Sequence, residues 1–258
     1  MINILISGCN GKMGQTVARI VGETEGVQVV AGIDIDTAPR NGFPVFDSFA
    51  RLSTGLEEGV TVDVLIDFSH PSTLDGLLSY AKSTGMPAVI CTTGLSKEQV
   101  QKIGEYSKDV PIFFSANMSI GVNLLIDLVK RASKVLEENF DIEIVEKHHN
   151  LKLDAPSGTA LAIADAIADS VSYNPEYVYD RHSVRRKRGK HEIGLHAVRG
   201  GTIVGEHSVI FAGYDEVIEI NHSAASKEVF AIGAVRAAKF MAGKGAGLYT
   251  MRELIMNS

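Results

Sequence analysis

The 258-residue chain has no tryptophan, two cysteines, seven prolines and only 7% aromatic residues. Its two cysteines, Cys9 and Cys91, sit in apolar stretches. They are too few for a disulfide framework or a cysteine-rich metal centre, and they suit a reducing, cytoplasmic setting. No uninterrupted apolar run approaches the ~18 residues of a membrane-crossing helix. The opening MINILISG runs straight into a strand pattern, without the charged leader and small-residue cleavage site of an export signal. Positive charge is also in short supply. Lys and Arg number 25 against 31 Asp and Glu, a net charge of −6 with a pI near 5.8. Such a protein as a whole does not cling to nucleic acid or to anionic membranes.

What is present is a globular composition, 45% apolar. At roughly 150 residues per domain, the length predicts one large or two small domains. The first half alternates short β-branched runs with helical patterns. INILIS (2–7), VQVVAGID (27–34), VDVLIDFS (62–69), PAVICTT (87–93) and PIFFSA (111–116) read as buried strands. Between them, 12–22, 72–84 and 96–107 carry apolar residues at helical spacing. That rhythm predicts an α/β domain with a doubly wound parallel sheet covered on both faces and right-handed crossovers. Beyond residue 118 the rhythm changes. A long amphipathic helix over 121–138, the strand DIEIVEKH (141–148) and a helix over 157–170 lead into 192–223. There, three short strands separated by Gly-Gly and Gly-Tyr-Asp turns read as an antiparallel meander. A final helix covers 226–242. The second domain is therefore expected to be α+β, with a mixed, mainly antiparallel open sheet. RHSVRRKRGKH (181–191) is conspicuously basic. It reads as a mobile solvated loop or as a flap that attracts a small anion; without interleaved aromatics it does not read as a nucleic-acid site.

ISGCNGKMG (6–14) follows the first strand and opens the first helix. Gly8 permits the tight turn, Gly11 lets backbone approach a pyrophosphate, and Gly14 permits close helix–sheet packing. Free N–H groups at the helix start face the anion. Asp34 ends the second strand about 20 residues further on, where a carboxylate takes hydrogen bonds from an adenosine ribose. Ile35 follows it where an arginine would attract a 2′-phosphate, while Lys12 can still pair with one, so NADH and NADPH both stay open. Thr92, Thr93 and Asn117 lie at the carboxyl ends of strands, where doubly wound sheets bind ligands; ordinary turn chemistry is the alternative.

The second conspicuous stretch is HHNLKLDAPSGTA (148–160). In an extended strand His148 and Lys152, four apart, project to one side, and a helical turn would also bring them near each other, with His149 adjacent. Pro156 marks a helix start at which Ser157, Gly158 and Thr159 expose N–H groups and hydroxyls, an anion receptor. Together they can hold a carboxylate and supply protons beside it. A zinc site fits poorly: adjacent histidines on a strand point to opposite faces and nothing completes a ligand set, so no metal is expected. The remaining alternative is a capped helix after a polar loop with exposed histidines.

EIVEKHHNLKLDAPSGTA (143–160) resembles the active-site motif of the 4-hydroxy-tetrahydrodipicolinate (dihydrodipicolinate) reductase family. The likeness extends through SGCNGKMG, DFSHP (67–71), TTGL (92–95), SANMSIGVN (115–123), VGEH (204–207) and GLYTMREL (247–254). The resemblance implies NADH- or NADPH-dependent reduction of a cyclic imine dicarboxylate on the diaminopimelate route to lysine, in a cytoplasmic homotetramer. It implies a Rossmann-like dinucleotide-binding domain over 1–119 and 228–258, and a substrate-binding and tetramerisation domain over 120–227. It implies His148 and Lys152 as proton-handling catalytic residues. His149, Lys152, Gly158 and Thr159 would contact the substrate's carboxylates, with Ser157 beside them. Gly8, Cys9, Asn10, Gly11, Lys12 and Met13 would form the dinucleotide loop and Asp34 the ribose contact. Cys91, Thr92 and Thr93 with Ser115, Ala116, Asn117 and Met118 would complete the cofactor site. Three positions depart from the family's habit: Cys91 replaces a common glycine, Ile35 replaces an arginine of some members, and Lys227 replaces an arginine, losing its bidentate fork.

Two other function classes share some of these features. Another two-domain nicotinamide dehydrogenase, acting on a small carboxylated imine or amino acid, shares the glycine loop but has no need of HHNLKLDAPSGTA. A dinucleotide-binding regulator binds NADH without substrate-dependent oxidation.

Overall fold

The computed structural model describes residues 1–257, in two compact units: Met1–Ile120 with the chain from Glu228 onward, and Gly121–Lys227. The first unit begins with β1 (Ile2–Ser7), α1 (Lys12–Gly22), β2 (Val27–Ile33), β3 (Val45–Phe46), α2 (Phe49–Gly55) and β4 (Val64–Asp67). It continues with α3 (Leu74–Thr84), β5 (Ala88–Ile90), α4 (Lys97–Tyr106) and β6 (Pro111–Phe114). The strands are parallel. They are continuous apolar runs because both of their faces are covered. Along β1, Ile4 and Ile6 join one core with Val17 and Val21 of α1, while Leu5 joins the opposite core with Leu77 of α3 and Ile103 of α4. Local signals close the helices: at α4, Ser96 accepts the N–H of Gln99, whose side chain accepts the N–H of Ser96. Such a cap is worth about 1 kcal/mol.

The second unit contains α5 (Ile120–Leu136), β7 (Asp141–His148), α6 (Gly158–Ala168), β8 (Glu176–Val178), β9 (Glu192–Arg199), β10 (Gly205–Ala212) and β11 (Val217–Ala224). Its sheet runs in the order β11-β10-β7-β9-β8. The alternation of β7 puts Ile142 and Ile144 beneath Leu125 and Val129 of α5 and Ile163 and Ile167 of α6, with Val209 and Phe211 of β10 in the same core.

The sheet is mixed, but the meander expected over 192–223 does not form. β9 lies parallel to β7, and β8 parallel to β9; β10 lies antiparallel on the other side of β7, and only β10 and β11 make a hairpin. The Gly200-Gly201 turn therefore arches over the end of β7 instead of reversing beside β9. It is held there by Gly200 N–H on His148 O (2.9 Å) and Asn150 N–H on Gly201 O (3.2 Å). Local turn chemistry signals a reversal in both cases; only non-local pairing decides which strand is met next. The basic stretch 181–191 is not a free loop either. Arg181 pairs with Glu143 (2.6 Å) and Glu192 (2.7 Å), and Arg188 with Glu143 (3.0 Å) and Asp141 (2.8 Å), so these charges strap the segment to its own sheet.

The chain then returns to the first unit through α7 (Glu228–Met241), β12 (Gly247–Tyr249) and α8 (Met251–Met256). Ala231, Ala234 and Ala238 let α7 pack closely into the core that α1 shares. β12 adds a parallel edge to β6, giving a seven-stranded sheet in the order β12-β6-β5-β4-β1-β2-β3. Strand order reverses between β1 and β4, and it is outside the carboxyl ends of strands at such a point that open α/β sheets bind ligands.

Candidate active site

In the first unit, the chain leaves β1 at Gly8, whose φ of +76° favours glycine. Gly8 and Cys9 donate their N–H groups to Ile33 O (2.8 and 3.3 Å), which locks the turn onto the end of β2. A Cβ on Gly14 would lie 2.0 Å from Gly8 O, so the first turn of α1 reaches this backbone only because residue 14 has no side chain. Gly11, at the helix N-cap, supplies no side-chain cap, and the first N–H groups of α1 are left for a ligand.

Asp34 follows β2 directly and accepts N–H groups from Asn10 (2.9 Å) and Asp36 (3.2 Å). Buried Asn10 reaches across to donate its amide to Asp36 O (2.6 Å) and Ala38 O (2.9 Å), while its Oδ1 has no partner. It is thus a clamp between the glycine turn and the acidic loop. Cys9 is fully buried, and desolvation followed by the charge of Asp34 pushes its thiol up to about 11. Burial, then Asp67, raises Cys91 well above its ordinary value. Neither thiol is a nucleophile.

Thr92 donates its hydroxyl to Asp67 (2.5 Å), leaving its backbone for any cofactor contact, and Ser69 donates to the same carboxylate. Burial raises the Asp67 pKa against these hydroxyl donors. After β6, Ser115 donates its hydroxyl to Asn117 O (2.8 Å), and Asn117 Oδ1 accepts the Ser119 N–H (2.8 Å). Met118 is buried and Thr93 exposed. The glycine turn, Asp34, residues 91–93 and residues 115–118 therefore stand at the carboxyl ends of β1, β2, β5 and β6 of one sheet.

In the second unit, β7 ends at His148, so positions 148 and 152 are not linked along an extended strand. Residues 149–152 form a turn in which the Lys152 N–H meets His149 O at 3.2 Å. Lys152 is not a free cation: its ammonium lies 2.7 Å from Asp154, whose carboxylate it holds below the usual range. His149 is half-buried and its Nδ1 has no partner. Ser157 caps α6, accepting the Ala160 N–H (3.2 Å), and is hydrogen-bonded through the same hydroxyl to His207 Nε2 (3.2 Å). Gly158 and Thr159 form the first turn behind it.

Three residues the sequence reading did not name complete this cluster: Glu146, Arg199 and His207. Glu146 is 1% exposed. It accepts Nδ1 of His148 (2.6 Å), both terminal nitrogens of Arg199 (2.8 and 2.7 Å) and the Ser157 N–H (3.0 Å). Desolvation pushes its pKa up, but these hydrogen bonds outweigh it and hold the carboxyl below the ordinary glutamate value. His207 is buried with its ring edge-on to His148, the centroids 5.3 Å apart. Desolvation, then the field of His148, lowers its pKa to about 4. A signal for two of the three was in the sequence. In DIEIVEKH the buried phase reads Ile142, Ile144, Glu146, His148, and in GEHSVIFA it reads Gly205, His207, Val209, Phe211. A charged or titratable side chain on the apolar phase of a strand must be paired. Arg199 carries no such local mark.

Among the described residues no three His, Cys, Asp or Glu side chains gather as a metal site, and no helix is long and apolar enough to cross a membrane.

Two family models match the chain: dihydrodipicolinate reductase, N-terminus, over residues 2–118, and dihydrodipicolinate reductase, C-terminus, over residues 121–255. The chain is 52% identical to the 4-hydroxy-tetrahydrodipicolinate reductase of Clostridium novyi (strain NT), over 99% of this chain and 98% of the relative. It is 55% identical to that of Caldanaerobacter subterraneus subsp. tengcongensis, with the same coverage. Among solved structures it is similar to a dipicolinate-bound dihydrodipicolinate reductase from Paenisporosarcina sp. TG-14. There the TM-score is 0.79 at 24% identity, covering 97% of each chain, a likeness of fold.

Proposed function

The chain belongs to the dihydrodipicolinate reductase family, and from that membership we propose how its own residues carry out the reaction. The activity is NAD(P)H-dependent reduction of 4-hydroxy-tetrahydrodipicolinate in lysine biosynthesis. The dinucleotide fits the first unit. The uncapped start of α1 and the glycine-lined turn offer N–H groups to a pyrophosphate, with Lys12 and Met13 on the first turn. Asp34 offers a carboxylate to a ribose, and the backbones of residues 91–93 and 115–118 offer contacts to the nicotinamide half. When bound, NAD(P)H supplies the hydride.

The substrate is a doubly acidic ring. Lys152 and the start of α6 at Gly158 and Thr159 hold one of its carboxylates; Ser157, whose N–H and hydroxyl are engaged by Glu146, Ala160 and His207, stands beside them, and His149 contacts the substrate next to it. Asp154, paired with Lys152 at 2.7 Å, gives up that partner when the substrate carboxylate arrives. Lys152 or His148 then delivers the proton that completes the reduction. The observation that carries this reading is Glu146, which holds His148 and the cap of α6 on one buried carboxylate and so makes the proton-handling group and the anion cradle a single rigid unit.

The face of the second sheet away from its helices presents Val198 and Val217 to solvent, which supports assembly of these sheets in a homotetramer. Two free buried cysteines suit a cytoplasmic setting. The deciding experiment follows the loss of reduced-nicotinamide absorbance with coupled synthase product as substrate. Oxidation that depends on substrate is expected; binding of NADH without it points instead to a regulator.

A further inference from the structure

Glu146 lies two residues before His148 on the same phase of β7, the phase that carries Ile142 and Ile144 into the apolar core. Both of its oxygens are saturated. Oε2 receives His148 Nδ1 (2.6 Å) and one arm of Arg199 (2.8 Å); Oε1 receives the other arm (2.7 Å) and the Ser157 N–H (3.0 Å). Bidentate pairing with Arg199 makes a buried negative charge tolerable, and an ionised carboxylate only accepts. The hydrogen on the contact to His148 therefore belongs to the imidazole, at Nδ1. In the neutral ring that leaves the lone pair on Nε2. Nε2 faces Gly205, where an added Cβ would lie only 3.1 Å away, so the missing side chain leaves that nitrogen uncovered.

We propose that Glu146 is a positioning residue for the reduction: it fixes His148 in the Nδ1–H tautomer, presenting Nε2 to the ligand, and through Ser157 sets the start of α6 in register with that nitrogen. The proposal rests on the reading of His148 as a group that acts on substrate. A purely structural Glu146 would cross-link β7 to β9 with the tautomer of no consequence, and the two roles separate experimentally.

Heteronuclear NMR of the full chain with isotopically labelled histidine reads the tautomer directly, with His148 assigned from the signal lost in His148→Gln. Protonated Nδ1 and bare Nε2 are expected. Glu146→Gln turns an amide N–H toward His148, so its Nε2 becomes the protonated nitrogen. The kcat should fall by about 100-fold or more, the lower end of what a correctly placed acid or base contributes. KM should stay within a few-fold and NADH affinity should not change. Glu146→Asp, which keeps the carboxylate, recovers part of the lost kcat.

Wild-type His148 with a bare Nδ1 overturns the proposal. So does near-normal kcat in Glu146→Gln while His148→Gln is slow. Should His148→Gln itself turn over normally, the reading of His148 fails first, and the tautomer result shows which of the two was at fault. If Glu146→Gln does not fold, the wild-type ring decides alone: protonated Nδ1 supports the proposal and bare Nδ1 rejects it.

Discussion

His207 stands directly across the β10–β7 ladder from Glu146, yet its imidazole bonds to Ser157. Its neighbours in that pocket include His148, and desolvation is the main reason it stays neutral down to about pH 4. Unfolded, the same ring takes its proton near pH 6.5. As pH falls below that value the unfolded chain binds a proton that the folded chain refuses, so stability is full above pH 6.5, drains away between 6.5 and about 4, and then levels off. The loss is on the order of 3 kcal/mol. Urea unfolding at a series of pH values should show this slope. His207→Gln should flatten it, leaving the smaller contribution of His222, which burial also lowers. An unchanged slope in the variant would remove His207 as its source.

Lys152→Ala should cut kcat by about 100- to 10,000-fold, the range general acid catalysis contributes. Steady-state assay of a variant with unaltered NADH binding measures this directly. Near-normal turnover would take Lys152 out of the chemistry.

His149→Ala should behave differently. The ring is half-buried beside the turn that Lys152 closes, and its reading is binding, not proton transfer. KM should rise several-fold with kcat retained; about 1 kcal/mol of lost contact corresponds to roughly five-fold. A selective loss of kcat reassigns His149 to the chemistry.

Gly14→Ala places a methyl group 2.0 Å from Gly8 O, and backbone has to move. A cost above about 2 kcal/mol is expected, with weakened dinucleotide binding because the turn and the helix start shift together. Calorimetric titration with NADH tests it; wild-type affinity would show that the turn absorbs the methyl group.

Arg188→Met strips Glu143 and Asp141 of a partner and removes donors to Ile142 O and Glu192 O. Glu143, raised by burial but held low overall by His196 and the two arginines, becomes under-compensated. Destabilisation of about 2–4 kcal/mol, below the 3–5 of a fully buried pair because the site is partly exposed, is expected in denaturant unfolding. A change within 0.5 kcal/mol would make the strap ornamental.

The parallel sheet was legible because β1, β4 and β5 are short β-branched runs buried on both faces and punctuated by helices of the right period. β3 and β12 were not: with two and three residues, they exist only because β2 and β6 offer edges. The meander failed for a related reason. Nothing within 192–223 records that β7, far earlier in the chain, inserts between β9 and β10. The site divides the same way. HHNLKLDAPSGTA drew attention to itself, and the phase of DIEIVEKH held Glu146 in plain view. Arg199 reaches Glu146 from a neighbouring strand, which is knowledge of pairing and not of pattern.

The first unit is assembled from both ends of the polypeptide, with α7 filling the core against α1 and β12 closing the sheet beside β6. A nascent chain therefore emerges from the ribosome with its glycine turn made early but with that core half empty. The middle unit, continuous in sequence, has every strand of its sheet before the last thirty residues are translated. Prematurely ended products should thus leave the middle unit whole and the first one exposing alanine-lined apolar surface, the species that chaperones and proteases recognise.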